Sequence, residues 1–422
     1  MPKKFYGWWI VAAAVCTFGL STGLPYYNMP FFYDYYAKEF GWTRPDITLG
    51  FPLAALFTLW VGPVLVHRFT PKRLLLTGSA LTALSFFGFS MMGSALGAYY
   101  TLWFVYVVGY IFSGPIPHQV LISQWFRRRR GIAMGVTYVG VGLIGSLGSF
   151  LVKPLTETFG FRACLMILGF IVMGVWPLTL LLLKNRPSEI GQNPDGDEIA
   201  SAEVKVSPRP FNELLGQTAF WLLVIGSACS IGSIGSINQH MKFVFQDQGY
   251  ADQTSLNAAW RTASVLILWS SIAGRLFIGW LADVFAKKYV MTATYVLVAV
   301  TIPLMLLVKP GSEVNLWIFA ILFGFGMGAD YMLIPLMAAE QFGVNTLARA
   351  MAIILPTDTI GQTWFPYAVA RLRESTGSYE QALMAVFVMA FIGAVAIALL
   401  PRQGKKDETF HVPDAQRAPT GD

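Results

Sequence analysis

Apolar positions along this chain come in long unbroken runs, not in alternation. Twelve runs stand out, at about 7–36, 45–67, 74–96, 98–126, 131–155, 162–183, 218–246, 254–282, 289–309, 315–342, 348–370 and 379–400. Each is near the ~20 residues that a helix needs to cross hydrocarbon. Strands of a membrane barrel would alternate apolar and polar residues over short segments. The runs therefore predict an all-α integral membrane protein of twelve transmembrane helices. One longer polar stretch, Lys184 to Leu215, contains Asn193-Pro-Asp-Gly-Asp-Glu198 and Pro208. It lacks helical periodicity and predicts a linker between two six-helix halves. The expected organisation is a first half at 1–183, a linker at 184–215, a second half at 216–401 and a disordered tail at 402–422.

Composition agrees with immersion in a bilayer. Hydrophobic residues make up 55% of the chain and charged residues 13%, against ~25% charged in soluble proteins. The charge is also lopsided. Of the 30 basic residues, 20 fall in the tail or in loops on the side of the N-terminus, including Arg68, Arg73 and Arg127 to Arg130. The positive-inside bias places both termini in the cytoplasm and predicts a multi-pass protein of the plasma (inner) membrane. The formal net charge of +7 reflects this bias and gives no reason to expect nucleic acid as a partner. The first run lacks a small-residue cleavage site and reads as the first span, not as a signal peptide. Cys16, Cys164 and Cys229 lie within spans, so no disulfide or metal framework is expected.

The candidate chemistry lies inside the spans. Arg275 sits deep in the run at 254–282, where a guanidinium cannot shed its proton. Such a residue calls for an anion or a water-filled cavity, and a carboxylate matches its fork of donors. By the ~1.5 Å rise per residue, Arg275, His118, Asp330 and Asp358 all lie roughly 12–17 Å from the face bearing the termini. This common depth predicts a midplane site. Each residue also has a structural reading. Arg275 could pair with an intramembrane aspartate, and Asp330 could be its partner or a local brace. Asp358 could bond to Thr357, Thr359 or backbone freed by Pro356. His118, after Pro115-Ile-Pro117, could be a packed histidine or a titrating one. His240 reads as interfacial. Tyr26, Tyr27 and Asn28 beside Pro25 mark a kink and form either an interfacial belt or a substrate contact. Tyr331 offers a further hydroxyl. The glycines of Gly140-Val-Gly-Leu-Ile-Gly-Ser-Leu-Gly148 lie within a span, where they favour close helix packing over phosphate binding. No nucleophile–base arrangement, cofactor motif or metal-ligand spacing is present, so no enzymatic activity is expected.

The halves echo each other in parallel. His67-Arg-Phe-Thr-Pro-Lys-Arg73 follows the second run and Asp283-Val-Phe-Ala-Lys-Lys288 the eighth. Trp125-Phe-Arg-Arg-Arg-Arg-Gly-Ile-Ala-Met-Gly135 follows the fourth run, and Gln341-Phe-Gly-Val-Asn-Thr-Leu-Ala-Arg-Ala-Met351 the tenth. A parallel repeat of six helices is similar to the plan of the major facilitator superfamily. Within it, Phe5-Tyr-Gly-Trp-Trp-Ile-Val11, the Trp125–Gly135 string and Arg275-Leu-Phe-Ile-Gly-Trp-Leu-Ala-Asp283 resemble the monocarboxylate transporter and oxalate:formate antiporter branches. The resemblance implies that Arg275 binds a substrate carboxylate and that Asp283, Arg68, Arg73 and Arg130 belong to gating loop motifs. Two departures stand out. Relatives that use a first-helix lysine for proton coupling place it after a proline, where this chain has Tyr26. They also place an aspartate one turn before the arginine, where this chain has Ser271.

The expected function is secondary transport of small organic monocarboxylates, lactate- or pyruvate-like, by alternating access and with proton coupling. Arg275 would hold the carboxylate, with Tyr26, Asn28, His118 and Tyr331 shaping the rest. Asp330, Asp358 and His118 are the candidate proton carriers. Asp330 ranks first because its glycine, alanine and tyrosine neighbours offer less local hydrogen bonding than Asp358 has, and substrate displacing Arg275 from a buried aspartate would favour its protonation. The alternatives are exchange of dicarboxylates or aromatic acids and, from another class, a membrane sensor that moves no solute.

Overall fold

The computed structural model describes residues 5–58, 61–197 and 209–401. The 402–422 tail and residues 198–208 of the linker lie outside them. Helices dominate: α1 Gly7–Phe40, α3 Pro71–Met91, α4 Leu96–Trp125, α5 Arg130–Phe159 and α6 Phe161–Leu182 in the first half. The second half has α7 Thr218–Asp247, α8 Gln253–Val284, α9 Lys287–Leu307, α10 Glu313–Phe342 and α12 Tyr379–Ala398. These ten are long and apolar enough to cross a membrane. Two further helices complete the twelve. The second, α2, has helical segments at Arg44–Thr48, Gly50–Thr58 and Val61–Leu65 among the described residues. The other, α11, runs Val344–Thr376 and carries Pro356 and Pro366.

The two halves use the same pairings. α1 packs on α5, α2 on α4 and α3 on α6; α7 packs on α11, α8 on α10 and α9 on α12. Each pairing in one half recurs six helices later, as a parallel repeat requires. Small residues let these pairs approach closely. A Cβ on Gly324 of α10 would come within 2.7 Å of the Ile267 carbonyl of α8, and one on Gly328 would strike the Ser271 carbonyl. The glycine string of α5 serves α1 in the same way, with Gly145 set against Gly23 and Tyr27.

Three hydrophobic cores reveal how the halves meet. One joins both halves at the end bearing the N-terminus and the linker. It includes Ile10, Met134 and Phe126 from the first half and Ile278, Met332 and Met351 from the second. At the opposite end each half has its own core, around Phe32, Trp103 and Leu165 in one and Ile237, Phe319 and Val386 in the other. The bundle is closed at one end and divided at the other.

α1 departs from regular helix where Pro25 predicts it. Gly19–Gly23 forms a π-helical turn and Met29–Phe32 a 3-10 turn before the helix resumes. Proline cannot donate to the preceding turn, and π-bulges often absorb that defect. The linker is more ordered than its composition suggests. Pro187–Ile190 and Pro194–Gly196 form 3-10 turns, and Phe211–Leu215 a short helical turn. Gln192 accepts a hydrogen bond from the Tyr6 backbone at 3.0 Å, and the Lys184 carbonyl accepts one from Trp125 Nε1 at 2.9 Å.

Candidate functional site

Arg275 stands where α8 meets α5, on the seam between the halves. A Cβ on Gly135 of α5 would strike the Arg275 carbonyl, and one on Gly142 would lie 3.3 Å from Nη1. Arg275 is half-buried as a whole residue. Nη1 donates a long hydrogen bond of 3.3 Å to Ser271 Oγ, and Nε is buried without a partner. Ser271 thus occupies the position of the absent aspartate and offers only a hydroxyl, already donating to the Leu268 carbonyl at 2.8 Å. The Tyr27 and Tyr138 phenols lie within electrostatic reach of the guanidinium. Among the described residues, no carboxylate lies within ion-pair distance of Arg275. The ion pair that the sequence leaves open is absent among them, so the cation retains unmatched donors.

Tyrosines from both halves gather around this point. Beyond the π turn, Tyr26 and Tyr27 keep 36% and 52% of their surface accessible. The Tyr26 ring lies 5.6 Å from Tyr27, 5.8 Å from Phe51 of α2 and 6.1 Å from Tyr110 of α4. Tyr331 of α10 is half-buried and within electrostatic reach of Tyr26, Tyr27, Tyr110 and Asp358. Tyr138 accepts a 2.6 Å hydrogen bond from Gln119 Nε2. Tyr110 and Tyr138 were not singled out by sequence reasoning. A tyrosine in an apolar run looks the same whether it faces a seam, a neighbour or lipid.

Two expected substrate ligands point elsewhere. Asn28 is 3% exposed, and its Nδ2 donates to the carbonyls of Leu24 at 2.8 Å and Gly145 at 3.0 Å. It ties α1 to α5. His118 is fully buried and stacked on Phe18 with centroids 4.4 Å apart. Its Nδ1 lies 2.7 Å from the Gly114 carbonyl, which requires a proton there. In the neutral ring Nε2 then accepts from Thr17 Oγ1 at 3.0 Å. Both ring nitrogens are engaged: Nδ1 within α4 itself and Nε2 in joining α4 to α1. His240, toward the outer end of α7, is buried between Tyr379 Oη and the Pro366 carbonyl, each at 2.9 Å.

The two aspartates form a separate group inside the second half. Asp330 of α10 is fully buried and its Oδ2 accepts from Ser230 Oγ of α7 at 2.5 Å. The Tyr295 hydroxyl of α9 faces it. Asp358 of α11 is also buried, near Ser227 of α7 and within electrostatic reach of Asp330. Asp330 therefore engages Ser230, and no contact with Arg275 stands behind the expected exchange between them. The midplane residues occupy three places: the seam, the α1–α4 contact and the interior of the second half. Ser227, Ser230 and Tyr295 were missed because hydroxyls on apolar helices are common and only packing brings them to a carboxylate.

At the closed end, Asp283 reaches across the seam to the start of α5. Its Oδ1 accepts from the Gly131 backbone at 2.5 Å and its Oδ2 from Ile132 at 2.9 Å. These are among the first donors of α5, which have no partner within their own helix, and the negative charge suits the helix N-terminus. Buried Arg130 donates from Nε to the Phe126 carbonyl at 3.0 Å, with Asp195, Asp283 and Glu340 close enough to balance it. Asp195 of the linker accepts from the backbones of Arg127 and Arg128, both at 2.9 Å. Arg68 and Arg73 are exposed at the same end. Among the described residues, no group of three His, Cys, Asp or Glu gathers to hold a metal.

The sequence profile of the Major Facilitator Superfamily matches residues 11–268 and 251–420. Monocarboxylate transporter 11 of Mus musculus is 24% identical, the match covering 95% of this chain and 89% of that protein. An MFS-type transporter of Gibberella moniliformis is 26% identical, over 92% of this chain and 88% of its own length. The fujikurins efflux protein of Gibberella fujikuroi is 23% identical, over 92% and 84%. Among solved structures, the fucose:proton symporter of E. coli superposes with a TM-score of 0.70 at 14% identity, covering 93% of this chain and 98% of its own.

Proposed function

Because the chain belongs to the Major Facilitator Superfamily, we propose that this multi-pass membrane transporter carries organic carboxylates across the bilayer, with Arg275 as the anchor of the carboxylate. The observation that carries this reading is Arg275 on the seam, with a buried, partnerless Nε and tyrosines in place of a counter-ion. A charge inside a span is costly unless an anion or water meets it. A carboxylate on Arg275 would accept two charge-assisted hydrogen bonds, and Tyr26, Tyr27 and Tyr331 would supply further donors. Asn28 and His118 act as braces of α1 in this reading and are left outside the site.

Transport would proceed by rocking the halves about this seam. Asp283 and Arg130, with Arg68 and Arg73 nearby, belong to the gate at the closed end. That end carries the basic loops, so it faces the cytoplasm. Cysteines introduced at 184–197 are expected to resist impermeant thiol reagents outside intact cells, and one beside Glu313 to react. Reversed labelling would refute this orientation.

Proton coupling is assigned to the buried pair Asp330 and Asp358. Two carboxyls enclosed with hydroxyl neighbours, and with no ion-pair partner among the described residues, cannot both stay ionised cheaply. Since Asp330 engages Ser230 and not Arg275, coupling would run through the movement of α7 and α10 between conformations. The deciding experiment is uptake of labelled carboxylates in proteoliposomes, with and without a pH gradient. Carboxylate uptake that depends on Arg275 and is driven by the gradient supports the reading; absence of any carboxylate flux defeats it.

A further inference from the structure

We propose that the cleft between α2, α4 and α11 receives the apolar body of the substrate, and that the substrate is an aromatic or similarly bulky carboxylate. The inference rests on Arg275 as the carboxylate anchor and adds a second binding region to it. The cleft is lined by Phe51 and Ala55 of α2, Tyr110 of α4, and Leu355, Thr359 and Trp364 of α11. It draws on both halves, so an occupant touches both and senses their relative position.

The lining is apolar in effect as well as in composition. Its threonine hydroxyls are already committed to their own helices: Thr58 to the Ala54 carbonyl at 2.8 Å, Thr359 to Leu355 at 2.9 Å and Thr363 to Thr359 at 2.8 Å. The threonines thus present methyl groups beside aromatic rings. Such a surface rewards burial of a ring or branched chain; Tyr110 and Trp364 are its few remaining donors, and with no cation among its lining residues the desolvation of a carboxylate there would be poorly compensated. The charged end of an occupant must lie outside the cleft.

An aromatic path connects the two regions. Tyr27 packs over Gly145 of α5, three residues along the same helix from Gly142, which lies against Arg275 Nη1. Its ring lies 5.6 Å from Tyr26, which in turn lies 5.8 Å from Phe51 at the cleft wall. A three-carbon acid spans roughly 4 Å from covalent bond lengths and would leave one of the two regions empty. A carboxylate bearing a ring extends further from the anchor toward the cleft than a three-carbon acid does.

The test is isothermal titration of purified full-length protein with pyruvate and with phenylpyruvate. Phenylpyruvate is expected to bind ~10-fold or more tightly, in line with burial of one ring. Ala55→Phe, which fills the cleft, should erase that advantage and leave pyruvate within about 2-fold, as side chains distant from the anchor should. Thr359→Val, nearly isosteric, should preserve the preference, because the hydroxyl it removes faces its own helix. Thr359→Trp fills the cleft from the other half and should repeat the Ala55→Phe result. Equal binding of the two acids by the wild-type protein overturns the inference and needs no variant. So does an Ala55→Phe protein that keeps the preference while losing a co-purified lipid, since the cleft would then hold an acyl chain. Failure of the anchor itself reads differently: Arg275→Ala would then bind both acids as the wild type does.

Discussion

The two ends of the bundle differ in what joins the halves. At the end bearing the N-terminus, one apolar core crosses the seam, and Asp283 of α8 caps the start of α5. At the other end the cores are separate, and accessible tyrosines line the gap. Non-directional burial alone would favour closing both ends. What distinguishes the closed end is a small set of directional contacts made across the seam, with backbones in near contact at Gly131 and Gly279. Such contacts can be lost together when the halves rock, because orphaned helix donors become accessible to water as the end opens. Arg275 sits between these regimes, at the depth where the shared core gives way to the gap.

The largest expected effect comes from removing the charge at that boundary. Arg275→Ala should weaken carboxylate binding by ~1.5–3 kcal/mol or more, the usual contribution of a charged hydrogen-bond partner. Arg275→Lys keeps the charge but loses the planar fork and should also bind poorly. Wild-type affinity in the alanine variant, by titration or counterflow, would remove the seam from the mechanism.

Asp330→Asn probes whether coupling lives away from the seam. The variant is expected to lose accumulation driven by a pH gradient and to retain substrate exchange at zero gradient. If it accumulates substrate like the wild type, the buried pair does not carry the proton.

Asp283→Asn sharpens the contrast between the ends. It removes the negative charge from the α5 N-terminus, an interaction of ~0.3–2 kcal/mol. The closed end should open more often, read as a longer mean distance between spin labels at the starts of α5 and α9. An unchanged distance distribution would mean that the apolar core alone holds the end shut.

His118→Gln should have the smallest effect on function. It breaks the Thr17 and Gly114 contacts and should destabilise the protein by about 1–3 kcal/mol, seen as a lower Tm. Carboxylate affinity should stay within about 2-fold. A large loss of affinity with unchanged stability would return His118 to the substrate site.

Much of this architecture was legible along the chain, for a physical reason. Hydrocarbon offers no hydrogen bonds, so each crossing must be a helix of set length. The twelve runs, the parallel repeat and the oddity of Arg275 follow from that constraint. The kink at Pro25 was legible for the same kind of local reason, since proline removes one donor wherever it stands. The facing of the polar residues was not. Successive helix residues turn by about 100°, so a shared depth says nothing about a shared direction. Packing sent Asn28 and His118 into the contacts of α1 with α5 and α4. It set Asp330 against Ser230, a hundred residues away in sequence, and left Arg275 on the seam without a carboxylate. Sequence by itself determined which segments cross the membrane and which residues are out of place there. Only the tertiary structure decided which of those residues meet, because side-chain direction is set by how helices rotate to bury their small residues against one another.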